Sequence, residues 1–275
     1  MESEIQEKIV KPDPTKLLEI ADIKPPLIGF YDVPDLKSFE PFTQPTRCFF
    51  SSYADWLKGY STSVTVGKSS CKGGGYWVGG VMPDWAVKSS GPDLSPRESF
   101  AQGLNRREGF KSSDRLLCQW LENLPPYRIK NGHVVIGPLK QGYYDYLKTI
   151  TFYVNPDQLS LLIHGAEYDN ASITNNPIMT AFGSGCGQMA ALLGDLDTDV
   201  PKAAVGATDM AMREHLPPDI LAFTVNKPMY EQLCALDESS FLYKHFWKRL
   251  RKTRANMALE SRGTITDAYI EEARG

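Results

Sequence analysis

Two stretches decide how this chain reads: Thr149-Ile150-Thr151-Phe152-Tyr153-Val154-Asn155-Pro156 and, later, Asp219-Ile220-Leu221-Ala222-Phe223-Thr224-Val225-Asn226-Lys227-Pro228. Each is a β-branched and aromatic run that ends in Phe-x-Val-Asn. Each then delivers a proline to the start of a helical pattern, Gln158-Leu159-Ser160-Leu161-Leu162 in the first and Tyr230-Glu231-Gln232-Leu233 in the second. Proline suits a first helical turn, where its missing N–H has no intrahelical acceptor to lose. Upstream of each run lies a short apolar strand with a glycine, Val135-Ile136-Gly137-Pro138-Leu139 and Ala204-Val205-Gly206-Ala207-Thr208. The shared order predicts an internal β-β-α duplication from about Asn131 to Leu236, with copies at 131–165 and 202–236. The antiparallel strands of each unit are expected side by side, with the helices on one face. Gly137 and Gly206 read as places of close strand packing. The fold class is therefore α+β: a single domain over residues 1–240 with a mixed, mostly antiparallel sheet, followed by a helical basic and acidic extension over 241–275.

The bulk composition agrees with a large single domain. The chain has 275 residues, 42% hydrophobic and 23% charged, enough to bury a sizeable core. A net charge of −3 excludes a general nucleic-acid binder, which needs a strong surplus of Lys and Arg. Met1-Glu2-Ser3-Glu4-Ile5 carries acids where a secretory signal carries basic residues, and no apolar run reaches the length of a membrane span. A cytoplasmic protein with no membrane partner is expected. Five cysteines, at positions 48, 71, 118, 186 and 234, are an odd number in a chain too large to need disulfide staples. Free thiols or metal ligands are the readings left.

The first half is less regular. Pro26 to Tyr31 reads as a strand stopped by Asp32-Val33-Pro34-Asp35, and Thr62 to Val66 as another. Arg47 to Leu57 reads as a helix ending at Gly59, with Cys48, Ser52 and Asp55 on one face. Residues Met82 to Phe110, rich in Pro, Gly, Ser and charge, read as a long surface excursion of the kind that forms lids. Ser113 caps a helix running to Leu124 that contains Cys118, and Cys234 falls in the second repeat helix. Both of these cysteines read as packing residues.

Cys71 and Cys186 lie in glycine-dense turns, Ser69-Ser70-Cys71-Lys72-Gly73-Gly74-Gly75 and Gly183-Ser184-Gly185-Cys186-Gly187-Gln188. Glycine allows close backbone approach to a ligand, and a helix beginning there aims unpaired N–H groups at the sulfur. Gly67-Lys68-Ser69 fails as a phosphate loop because Thr62 stands where the motif needs glycine. The second turn fails as a dinucleotide fingerprint because Gln188 occupies the third glycine position and Met179 to Phe182 is short for a strand. Either turn can still act as a simple anion nest. There is no Cys-x-x-Cys or His-x-x-x-His pair, so a structural zinc site is not expected, and His133, His164, His215 and His245 are scattered. Thiolate ligation by Cys48, Cys71 and Cys186 of an iron–sulfur cluster remains, beside the alternative that Cys71 and Cys186 are small residues at tight helix starts.

Taken together these residues resemble domain-of-unknown-function family 169, an uncharacterised family of archaea and anaerobic bacteria. The resemblance is carried by Pro25-Pro26-Leu27-Ile28-Gly29, by Cys48 to Gly59, by Val64 to Gly74 and by Phe152 to Leu162 with its Asn-Pro. It continues through Cys186, Gly206 to Arg213 and Leu221 to Pro228. It singles out Cys48, Cys71 and Cys186 over Cys118 and Cys234. The resemblance implies a further cysteine in some relatives where this chain has Ala207, so a fourth ligand here would have to come from elsewhere. The resemblance brings no reaction with it.

The leading expectation is a protein of unknown activity that holds a metal or iron–sulfur centre through Cys48, Cys71 and Cys186. Lys72, Gly73, Gly74, Gly75, Gly183, Gly185 and Gly187 then shape a small-ligand pocket beside it. The alternative is a metal-free, non-catalytic module that binds an organic anion in the same glycine turns. A third reading is assembly through the basic helix Lys244 to Arg254, and homo-oligomers are compatible with every reading.

Overall fold

The structure is a computed structural model that describes residues 11–46, 48–64, 72–180, 185–194 and 199–257. Seven strands among these residues join into one sheet: β1 (Ile28–Val33), β2 (Thr62–Val64), β3 (His133–Pro138), β4 (Leu147–Val154), β5 (Ile178–Thr180), β6 (Ala203–Gly206) and β7 (Leu221–Asn226). The spatial order is β2-β3-β1-β4-β7-β6-β5. Every neighbouring pair is antiparallel except β5 and β6, which run parallel. The domain is α+β with a mixed, mostly antiparallel sheet.

Side chains alternate across a strand, so the sheet feeds two cores. Tyr31, Val33, Val135, Ile150, Phe152, Phe223 and Val225 face one layer, made by α1 (Thr15–Ala21), α7 (Pro156–Ala166) and α9 (Lys227–Cys234). Ile28, Phe30, Val134, Ile136 and Ala222 face the other. That second layer is built from a 3-10 turn (Phe49–Ser52), α2 (Tyr53–Trp56), α3 (Lys72–Gly79), α4 (Asp84–Lys88), α5 (Pro96–Glu108), α6 (Asp114–Asn123), a π-helical turn (Gly187–Leu192) and α8 (Met210–Arg213).

The two Phe-x-Val-Asn strands, β4 and β7, lie side by side at the middle of the sheet, with Phe152 opposite Phe223 and Thr151 opposite Thr224. The two threonine hydroxyls share a hydrogen bond of 2.8 Å. Each asparagine caps the helix that follows. Asn155 accepts from Gln158 N at 2.9 Å, and Asn226 from Met229 N at 3.1 Å, which satisfies amides that a helix start leaves unpaired. Both repeat helices, α7 and α9, pack on the same face, as the duplication predicts. The strands differ from that expectation. β6 and β7 are neighbours, whereas β1 is inserted between β3 and β4, so the first unit is not a hairpin. An antiparallel partner from the N-terminal segment outcompetes the local pairing there.

Three further sequence expectations need correction. β1 does not stop at Tyr31 but runs through Asp32 and Val33, because the buried Asp32 carboxylate has donors waiting: Tyr127 Oη at 2.8 Å, Lys130 N at 2.6 Å and Asn131 N at 2.8 Å. The 82–110 stretch is no open excursion. It holds α4 and α5, the latter started by a capping box in which Ser95 and Glu98 bond each other's backbone and Pro96 opens the helix. Met179 and Thr180, in a stretch short for a strand by sequence, belong to β5, which is held by pairing with β6.

The basic run after Lys244 is helical over residues 245–257. Trp247 Nε1 donates to Ile20 O at 2.6 Å, and Arg254 grips the Asp157 carboxylate at 2.7 and 3.0 Å, so the helix is docked across α1 and α7. Among the described residues, no helix is long and apolar enough to cross a membrane.

Candidate functional site

Cys48 is the residue before the 3-10 turn, in an extended conformation (φ −120°, ψ 149°), and its carbonyl accepts from Ser51 N and Ser51 Oγ at 3.0 and 2.8 Å. That turn drives Phe50 into the core two residues later. There the ring meets Gly185, so closely that a methyl group on the glycine would stand 2.5 Å from the ring carbons. Gly185 precedes Cys186, which is buried at the start of the π-helical turn. One glycine contact thus brings together two distant chain segments, each carrying a cysteine. Cys48 packs against the same core cluster that contains Cys186, Met212 and Ala207.

Across from them stands Tyr153, which points off β4 into this layer. Its ring contacts Tyr53 (centroids 4.9 Å apart) and Phe50 (6.4 Å). Burial, then Tyr53 and the thiols of Cys186 and Cys48, push its ionisation well above the ordinary tyrosine value. Tyr53 is also raised, by burial first and then by Asp219, an exposed carboxylate that marks the solvent side. The hydroxyls of Tyr153 and Ser52 are out of water and have no hydrogen-bond partner among the described residues. Buried hydroxyls are normally satisfied, by protein, water or ligand.

The π-helical turn is fixed to the sheet by two polar contacts. Thr149 Oγ1 donates to Met189 O at 2.9 Å, and Gln188 Nε2 donates to Ala204 O at 3.0 Å. Gln188 lies over Gly206 and therefore fills the space in which a dinucleotide motif would need a glycine. The π-helical turn lies in sequence between β5 and the parallel strand β6, and the Gln188 carboxamide ties it to β6. A π-helical segment is uncommon and frequently marks a functional place.

Cys71, Gly183 and the side chain of Lys72 lie outside the described residues. Gly73, Gly74 and Gly75 are not in a loop, as the sequence suggests, but form the first turns of α3. Glycine in a helix costs about 1 kcal/mol per residue. Burial of Tyr76, Trp77 and Val78 offsets it, and the small side supports packing of α3 on the π-helical turn. Gly185 and Gly187 are likewise helical. Gly73 alone of the α3 glycines borders a cleft, of about 460 Å³, between α3, α4 and α5.

Cys118, on α6, packs against the same core as Cys48 and Cys186, whereas Cys234 packs against the core on the opposite face of the sheet. Burial, followed by Glu122 and Glu98, raises the Cys118 thiol, and burial pushes Cys234 up to about 12. Both are protonated at neutral pH. Among the described residues no three of His, Cys, Asp and Glu come together as a metal site. Tyr53, Tyr153, Ser52 and the Gly185–Phe50 contact were not singled out from sequence. The available signal was the alternation of β4, which turns Tyr153 away from the face where Phe152 and Val154 pack.

The chain belongs to domain-of-unknown-function family 169, described as an uncharacterised ArCR family, whose model matches residues 4–235. That span takes in the sheet, both repeat helices and every cysteine, and ends before the helix over 245–257. No curated protein and no solved structure matches the chain.

Proposed function

We propose that the protein holds a soft metal ion or an iron–sulfur centre through Cys48, Cys71 and Cys186, in a site walled by Phe50, Tyr53 and Tyr153. The observation that carries this reading is the seating of Gly185 on the Phe50 ring, which draws the Cys48 and Cys186 segments into one core. The chemistry of the donors supports it: thiolates favour soft metals, and a buried hydroxyl without a partner among the described residues can donate to a metal-bound sulfur or ligand. In sequence Cys71 directly precedes α3, and α3 packs on the π-helical turn that Cys186 begins. The bound centre would supply redox or Lewis-acid chemistry. The residues of the chain would supply exclusion of water, through Phe50 and Tyr153, and a route to solvent past Tyr53 toward Asp219.

The test is metal, iron and sulfide analysis with a visible spectrum, on protein purified without oxygen. Bound metal that is lost in each of Cys48→Ser, Cys71→Ser and Cys186→Ser, and retained in Cys118→Ser, is the expected result. Metal-free, colourless protein after anaerobic reconstitution with iron and sulfide would overturn the reading.

A further inference from the structure

The cleft between α4 and α5 contains polar groups for which the fold provides nothing. Ser99, Gln102 and Arg106 follow one another along one face of α5 and line the cleft. None of their side-chain polar atoms has a hydrogen bond or ion pair among the described residues. Ser99 is 4% exposed and contributes to the wall of the cleft. The neighbouring arginines are differently occupied: Arg107 is paired with Glu108 and Arg97 with Glu122, whereas Arg106 has no ion pair among the described residues.

The opposite wall is an indole. Trp85 of α4 lies so close to α5 that a methyl group on Gly103 would stand 2.3 Å from its ring, and Phe100 backs it at 5.9 Å. Glycine at position 103 therefore lets the indole lie against the helix, and 37% of Trp85 remains exposed. A volume of about 460 Å³ falls in the range of small-molecule sites, roughly 300 to 1,000 Å³.

We infer that this cleft binds a planar aromatic carboxylate. The aromatic ring stacks on Trp85, the carboxylate pairs with the Arg106 guanidinium, and Ser99 and Gln102 bond the remaining polar edge of the ligand. Each partner answers a feature that the protein leaves open: a flat apolar wall, the Arg106 guanidinium, and a hydroxyl and carboxamide without partners among the described residues. The site does not depend on whether the three cysteines hold a metal.

The experiment is calorimetric titration and thermal melting of the full chain with 2-naphthoate, with its neutral analogue 2-naphthalenemethanol, and with inorganic phosphate. Naphthoate is expected to bind saturably and raise the melting temperature. Its affinity should fall about tenfold or more in Arg106→Gln and in Trp85→Ala, and stay unchanged in Cys48→Ser. Arg106 is exposed, so its substitution tests the pairing even where loss of Trp85 disturbs folding. Absence of saturable naphthoate binding at millimolar concentration overturns the inference. So does phosphate or the neutral analogue binding as tightly as naphthoate, or an affinity indifferent to Arg106→Gln.

Discussion

Gln188 rests directly on Gly206: a methyl group on that glycine would stand 1.7 Å from the carboxamide oxygen. The pair joins the π-helical turn to β6, because the same carboxamide donates to Ala204 O. Gly206→Ala must displace Gln188 and leave that carbonyl unpaired. A loss of about 2 kcal/mol is expected from the overpacking and the broken bond, measured by urea unfolding. Gln188→Ala in the same chain removes the clash, so the double variant should be less destabilised than the sum of the single changes.

Asp32 holds the loop from Tyr127 to Asn131 through three donors and is fully buried. Asp32→Asn turns one acceptor into a donor that faces donors. A cost of about 3 kcal/mol is expected, in the range for buried charged hydrogen bonds. Tyr127→Phe should cost less, about 1 kcal/mol, since the two backbone amides keep their acceptor. Chemical unfolding of both variants provides the comparison.

Cys234 is held protonated by burial, with its thiol pushed up to about 12. Its ordinary value is about 8.5. The sign follows from linkage: the fold favours the protonated thiol, so this contribution is complete below the unfolded value and is lost as pH rises toward 12. Alkylation at pH 8 followed by mass spectrometry should leave Cys234 unmodified in the folded protein and modify it in urea. Rapid labelling of native protein at Cys234 would contradict the packing of this last residue of α9 against the core.

Tyr31, Tyr144, Tyr153 and Tyr230 are all raised, with burial as the first cause in each. In the unfolded chain they ionise near pH 10. Stability is therefore full below that value and declines above it, because only the unfolded state releases these protons. Urea midpoints measured from pH 8 to pH 11 should fall progressively. Tyr153→Phe should reduce the decline and cost under about 1 kcal/mol at neutral pH, since its hydroxyl has no partner among the described residues.

Much of the sheet's centre is legible in the chain. Phe-x-Val-Asn-Pro announces β4 and β7 because the strand pattern, the capping asparagine and the proline all act locally. The insertion of β1 between β3 and β4 is not legible, since pairing partners distant in sequence leave no local mark. Asp32 is misread for a related reason: a buried aspartate looks like a turn residue until its donors, nearly a hundred residues away, are in view. Cys186 stands out by its glycine-dense surroundings and Cys48 by the family resemblance, yet the contact that joins their segments rests on Gly185 receiving a ring from another segment. The helical state of Gly73, Gly74 and Gly75 runs against intrinsic propensity and follows from the burial of Tyr76 and Trp77.

The pairing of Phe152 with Phe223 has a consequence for how the chain could be divided. Between the two strands lies a surface loop in which Ile173 is 97% exposed. A protease nick there would leave two fragments, each ending its sheet on a bare strand edge that only the other can cover. The middle of this protein is in effect a subunit interface made permanent by a tether, and the severed halves should reassemble when mixed.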